Sequence, residues 1–250
     1  GLVPLTFAPG VAGAAAMPNF SYVRKLGSGL PADTDDNAND FMLVSTGGEA
    51  FGATASVLGA PGPESSTSPA QRNAQIKASL VDPQVSSSGV PNRARLGVPV
   101  TNGQYGTFVI RRKFTNKTGA SITRLRFRIV DITTYPRSNN ATADLRLINS
   151  PDMEITLTPV NGEAATVTVK GTSLEQSSAQ PQGGGINSTM MVALPGGALA
   201  PNNSINVQFV MGVEQNGSFR FIVNVEAATA AAPPPAGAAG KRVGTKQGSR

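Results

Sequence analysis

The stretch "TRLRFRIVD", residues 123–131, decides the fold because its side chains alternate strictly between basic and apolar. Successive side chains of a β-strand point to opposite faces of the sheet, so the stretch predicts a strand with one dry face. The basic face has two interpretations, the solvated side of a sheet, which the pattern favours, or a surface that binds an acidic polymer. The apolar face would carry Leu125, Phe127 and Ile129, and the basic face Arg124, Arg126 and Arg128.

Nine further segments show the alternation or the short apolar runs that are typical of strands. They are residues 41–46, 75–82, 107–116, 143–149, 153–160, 165–171, 188–194, 204–213 and 218–227. Segment 107–116 precedes 122–133 by a Gly-containing connection, and the last two segments are joined by "EQNG", so we expect each pair to form a hairpin. Seven or more such strands predict an all-β fold, an immunoglobulin-like antiparallel β-sandwich.

Composition divides the chain into four parts. Residues 1–32 are predicted to be an extended arm, and residues 33–105 a loop-rich β region that is either separate or part of the same domain. Residues 106–227 would form the sandwich core, followed by an Ala/Pro/Gly-rich basic tail over 228–250 that cannot bury enough surface to order itself. The arm could fold back on its own domain or pair with the sheet of another chain. Its apolar residues are Leu2, Val3, Leu5 and Phe7, and Pro4 among them favours an edge position.

The sequence lacks the residues that most catalytic and metal sites need. Without any Cys or His, thiolate nucleophiles, structural zinc, iron–sulfur clusters and His-based triads are excluded. Asp152 and Glu154 share one face of a predicted strand, but few aromatic residues and no Trp are present to line a sugar groove. We therefore expect no enzymatic activity and no cofactor other than a calcium ion. No apolar run is long enough to span a membrane.

The acidic segment "DTDDNAND", residues 33–40, is the candidate calcium loop. Asp33, Asp35, Asn37 and Asn39 alternate like the early ligands of an oxygen-rich calcium loop. The helix–loop–helix calcium pattern also requires Gly at its sixth position and Glu at its twelfth, and those positions hold other residues here. The alternative is a solvated turn that leads into the strand at 41–46.

Positive charge concentrates in two places, the segment 107–131 and the last ten residues, within a chain of net charge +6. Arg111, Arg124, Arg126 and Arg128 would be the residues that contact an acidic glycan or surface. A nucleic-acid site would be expected to place aromatic side chains among its cations. The phenylalanines of this segment are expected on the buried face, so nucleic acid is an unexpected partner.

Several motifs together resemble a known kind of domain. "FTNKTGASITRLRFRIVDITT" (114–134) and "LPGGALAPNNSINVQFVMGVEQNGSFRFIVNVEA" (194–227) carry the resemblance, with support from "NDFMLVSTGG", "LGAPGPES" and "QRNAQIKASLVDP". Over residues 35–227 the chain is similar to an uncharacterised secreted immunoglobulin-like domain of acidobacterial and related bacterial surface proteins. The resemblance implies an extracellular β-sandwich and supplies no catalytic residues.

Three functions are compatible with these features. The first is an extracellular structural subunit that self-assembles into a fibre or surface layer, with the arm completing the sheet of a neighbouring copy. The second is an adhesion module on the cell surface that binds acidic glycans or surfaces through the arginines. The third is a virion shell or appendage protein. A chain that begins with Gly1 rather than Met suggests a removed leader or a trimmed chain, and we favour the first, with an extracellular or cell-surface location.

Overall fold

The computed structural model describes residues 20–27, 30–50, 54–61, 75–134, 139–176 and 180–229. Within these ranges the regular secondary structure is almost entirely β-strand, with one helix of four residues and one 3-10 turn. The strands of the first part are β1 (Phe20–Arg24), β2 (Leu26–Gly27), β3 (Leu30–Pro31), β4 (Phe41–Ser45), β5 (Val57–Leu58), β6 (Ile76–Leu80) and β7 (Arg93–Leu96), with helix α1 (Asn37–Asp40) before β4. The others are β8 (Thr107–Asn116), β9 (Ile122–Ile132), β10 (Asp144–Ile148), β11 (Met153–Thr156), β12 (Thr166–Val169), β13 (Ser173–Gln176), β14 (Thr189–Val192), β15 (Ser204–Gln215) and β16 (Phe221–Thr229), with the 3-10 turn at Pro195–Gly197.

Two larger sheets carry most of the long strands. One has the order β10-β15-β8-β6, with β7 also paired to β8, and the other has the order β13-β14-β9-β16. All pairings in both are antiparallel. The smaller sheets are β1-β4-β5, in which β4 and β5 are parallel, and the pairs β11-β12 and β2-β3.

The main hydrophobic core lies between the two larger sheets. Phe127 of β9 packs against Phe114 of β8 and Phe209 of β15, with ring centroids 4.7 and 4.9 Å apart. The buried cluster around these rings draws side chains from both sheets. Two sheets therefore cover each other's apolar faces, and the predicted all-β class with antiparallel sheets is confirmed.

The two predicted hairpins are wrong. β8 pairs with β6, β7 and β15, whereas β9 pairs with β14 and β16, so residues 117–121 cross from one sheet to the other. In the same way β15 and β16 lie in different sheets. Each of these strands has one apolar face, and strands in opposite layers can turn those faces toward each other across the core. Phe209 and Phe221, with ring centroids 5.6 Å apart, meet in this way.

The N-terminal part contributes strands of its own. Residues 20–24 of the predicted arm form β1, which pairs with β4. Residues 75–96 supply β6 and β7 to the same sheet as β8, and Ile76 belongs to the main core. Over the ranges that the structure describes, no helix has the length and apolar character needed to cross a membrane.

Candidate functional site

The arginine row of β9 is not solvated as a whole, because acidic side chains from other strands cover it. Arg126 has a side chain with 0% exposure, and its Nε donates to Glu226 Oε2 at 2.6 Å. Arg128 Nε donates to Glu226 Oε1 at 2.7 Å, and Glu175 of β13 forms ion pairs with Arg124 and Arg126. The expectation that this face is the wet side of a sheet is therefore wrong for its central residue.

Arg111 belongs to the other layer. It lies on β8, where core residues Phe108 and Phe114 point inward and Arg111, at odd spacing from both, points away from the core. Its guanidinium donates to Gln208 Oε1 at 3.3 Å and to the carbonyl of Pro91 at 2.9 Å. Burial lowers the pKa of Arg111.

The four arginines predicted to bind an acidic polymer therefore do not share one surface. Arg111 lies on the outer face of one sheet, and the β9 row lies on the outer face of the other. Two of them, Arg111 and Arg126, are buried. Binding of an acidic glycan or surface stays a prediction, and these positions give it no common contact area.

The candidate calcium loop is held by its own hydrogen bonds. Asp36 caps α1 by accepting from the backbone N–H of Ala38, and buried Asp40 accepts from both the N–H and the hydroxyl of Thr34. Asp33 lies 3.7 Å from an Arg24 nitrogen. All four predicted ligands, Asp33, Asp35, Asn37 and Asn39, are exposed. In the described part of the chain no three acidic side chains come together as a metal cluster, and calcium stays a prediction.

The predicted assembly arm, Leu2, Val3, Leu5 and Phe7, lies outside the described residues, as does the tail from residue 230 onward. What the structure does describe is a surface that could receive such an arm. β16 is the last strand of its sheet: among the described residues it pairs with β9 on one side and with no strand on the other. Its nine residues, "FIVNVEAAT", contain neither the proline nor the lysine that often protects an edge.

A groove of about 530 Å³ runs beside this edge, between β16 and the short edge strand β6 of the opposite sheet. Inward-facing side chains of both layers line it, and those contributed by β16 are only half-buried. The groove is thus a place where the two sheets do not cover each other completely. We call it the β16 groove; its lining includes Ile76, Ile110, Phe114, Phe221, Val223 and Val225.

Two cations also line the β16 groove. Lys77 is exposed on β6, and Arg112 of β8 donates to the carbonyls of Arg111 and Asn92 at 2.7 and 3.3 Å. Burial, with a smaller contribution from the nearby charge of Arg93, lowers the pKa of Arg112. Their aliphatic stems extend the apolar lining while their charged ends are hydrated or bonded to the backbone.

A second cleft, of about 410 Å³, lies between β7 and the β15–β16 connection. Phe108 and Phe219 pack edge to face at its wall with ring centroids 4.6 Å apart, and the Arg93 guanidinium lies 5.8 and 6.0 Å from the two rings. Neither this cleft nor the β16 groove was predicted from the sequence. The short alternating piece "RARL" that forms β7 was the available signal, and it lies inside the region predicted to be loop-rich.

Comparison with known proteins adds no identification, since no family model, no curated protein and no solved structure matches the chain. The resemblance to bacterial surface domains therefore stays an expectation.

Proposed function

We propose that the chain is an extracellular structural subunit, built on an immunoglobulin-like sandwich, that self-assembles into a fibre or surface layer. Neighbouring copies join by strand complementation: the N-terminal arm of one copy pairs with the free edge of β16 in the next. The observation that carries the proposal is a nine-residue edge strand that flanks an apolar groove. An added strand would gain backbone hydrogen bonds from the edge and side-chain burial from the groove.

The spacing of the arm matches the groove. Phe221, Val223 and Val225 point inward at a period of two and span about 13 Å at 3.3 Å per residue. Val3, Leu5 and Phe7 repeat the same period over the same length. If these three side chains enter the groove and the arm runs antiparallel to β16, their backbone groups are also those that face β16.

Pro4 supports this register. In a strand the backbone N–H groups of alternate residues point to opposite edges, so Pro4 lies on the side turned away from β16. Proline has no N–H to donate, and it is tolerated where that side is not paired. It would also prevent a further strand from adding to the new edge.

The acceptor strand is held in place before a partner arrives. Glu226 of β16 is buried and accepts hydrogen bonds from Arg126 and Arg128 of β9. A strand fixed in this way loses little conformational freedom on binding, and preorganisation of this kind raises affinity.

The absence of cysteine from the chain makes a direct test simple. The double variant Leu5→Cys/Val223→Cys should form disulfide-linked ladders of two, three and more copies when oxidised. The matched control Thr6→Cys/Val223→Cys places the first thiol on the outward side and should form far fewer. Negative-stain imaging of the uncrosslinked protein should show polymers.

Three results would overturn the proposal. Disulfides confined to single chains would show that the arm occupies the groove of its own copy. Equal yields of disulfide-linked ladders from the two variants would contradict the proposed register of the arm. Polymers that persist after deletion of residues 1–16 would eliminate the arm as the link between subunits.

A further inference from the structure

We propose that the second cleft binds one small organic anion that carries an apolar body, such as an aliphatic carboxylate. Its volume of about 410 Å³ falls within the range of small-molecule sites. We call it the Arg93 cleft, after the cation at its wall. Its lining includes Val90, Arg93, Phe108, Leu145, Val213 and Phe219.

The apolar part of the cleft is partly core and partly exposed rim. Phe108, Leu145 and Val213 belong to the main hydrophobic cluster and form the floor. Val90 and Phe219 stand at the rim with 71% and 39% exposure. Apolar side chains grouped in this way around a concavity are typical of a surface that a ligand covers.

The cation at the wall has unused hydrogen-bond donors. Within the described residues the guanidinium of Arg93 contacts the faces of Phe108 and Phe219, and no hydrogen bond or ion pair holds it. Arg95, which also lines the cleft, is occupied, since it donates to the carbonyls of Leu96 and Thr107 and to Asn216 Oδ1. Arg93 is therefore the group that is available to a ligand.

Charge selects an anion for this position. None of the residues that line the cleft is acidic, and Arg112 of β8 adds a second positive charge close to Arg93. A guanidinium presents its N–H groups in a fork that matches the two oxygens of a carboxylate. A ligand with a carboxylate at Arg93 and an apolar body on Phe108 and Leu145 would satisfy both parts of the cleft.

The ligand is distinct from the assembly arm. Residues 1–19 contain no Asp or Glu, so the proposed arm brings no carboxylate side chain to Arg93. The proposed ligand is a single free anion rather than a membrane surface. Its binding does not depend on self-assembly of the protein.

Decanoate and its uncharged counterpart decanol are suitable probes. The chain has no Trp, so Phe219→Trp introduces one fluorophore at the rim of the cleft. Titration of this full-length variant at pH 7, below the micelle concentration, should shift the Trp emission with decanoate at one site per chain. Decanol should bind about tenfold more weakly, which corresponds to about 1.4 kcal/mol.

The charge is tested by adding Arg93→Gln, which should weaken decanoate binding about tenfold and leave decanol binding unchanged. Adding Lys113→Gln, which removes a cation from the outer face of β8, is the matched control and should change neither. Calorimetry on the chain without the reporter, with and without Arg93→Gln, should give the same ratio. Equal decanoate affinities with and without Arg93, no saturable binding, or binding only to anionic lipid vesicles would overturn the proposal.

Discussion

Arg126 of β9 and Glu226 of β16 stand directly opposite each other in the strand register, and their side chains form a 2.6 Å ion pair away from solvent. The same carboxylate accepts a hydrogen bond from Arg128. One buried acid thus joins two cations of the neighbouring strand and fixes the edge strand to its sheet. Cross-strand pairs of opposite charge stabilise a sheet, and a buried carboxylate that serves two arginines is costly to remove.

We predict that Glu226→Gln destabilises the protein strongly. The variant leaves Arg126 buried without this carboxylate, and breaking a buried pair costs about 3–5 kcal/mol. Urea unfolding followed by circular dichroism measures the loss. Arg220 and Asp131 provide the control, since their side chains are 67% and 34% exposed, and Asp131→Asn should cost less than about 1 kcal/mol.

A double variant separates charge from packing at this position. Replacing Arg126 by Met and Glu226 by Leu removes both charges and keeps apolar volume. It should be more stable than Glu226→Gln alone, because the buried cation that lost its Glu226 partner is gone. If the double variant is the less stable of the two, the ion-pair network stabilises the folded protein by more than the desolvation of its charges destabilises it.

Close backbone contact makes Gly212 a second sensitive position. A Cβ atom at Gly212 of β15 would overlap the carbonyl group of Asn102, which belongs to the connection before β8. We expect Gly212→Ala to lower the free energy of unfolding by about 1–3 kcal/mol, as overpacking does. Gly97→Ala is the control, because a Cβ there meets no atom within 4 Å, and its free energy of unfolding should lie within about 0.5 kcal/mol of the wild type. Equal midpoints for the two variants would contradict the close approach.

The positions of the long strands could be predicted from the sequence, but strand partners could not. The alternation that marks 107–116 and 204–213 also marks β8 and β15 in the structure. Alternation shows that a strand has an apolar face without showing which other face it meets. Short connections suggested hairpins, whereas burial of both apolar faces sends each connection across the core.

The environment of the arginines could not be predicted from the sequence either. Arg126 lies 49 residues from Glu175 and 100 from Glu226 in the chain, and only the sheet brings these acids beside it. An alternating basic row looks the same whether water or carboxylates cover it. The two clefts could not be predicted for the same reason, since each is formed by strands that are distant in sequence.

Stability should fall in acid because of Asp82. Its carboxylate accepts hydrogen bonds from the backbone N–H groups of Thr158, at 2.7 Å, and Gln84, at 2.9 Å. These bonds, the one from Thr158 above all, lower the pKa of Asp82 below its ordinary value. The stabilisation is complete above the unfolded-state pKa of about 3.9 and is lost as the pH falls below that value toward the lower folded-state pKa.

The variant Asp82→Asn tests this directly. It cannot ionise, so its melting temperature should be lower than that of the wild type at pH 6 and should fall less between pH 6 and pH 3. Parallel melting curves for the two proteins across this range would show that Asp82 does not contribute to the acid sensitivity.

Single charges in the arm should act according to the face on which they lie. In the proposed register Leu5 enters the β16 groove and Thr6 points outward, so Leu5→Asp would place a carboxylate between two apolar layers. A buried unpaired carboxylate is far more costly than a solvated one, and assembly of Leu5→Asp should be abolished while Thr6→Asp still assembles. Sedimentation of the two variants at equal concentration measures the difference. Because both changes are in the proposed arm, both proteins should unfold at the same urea concentration as the unassembled wild type. A Thr6→Asp variant that fails to assemble while Leu5→Asp assembles would show that the opposite face of the arm makes the contact.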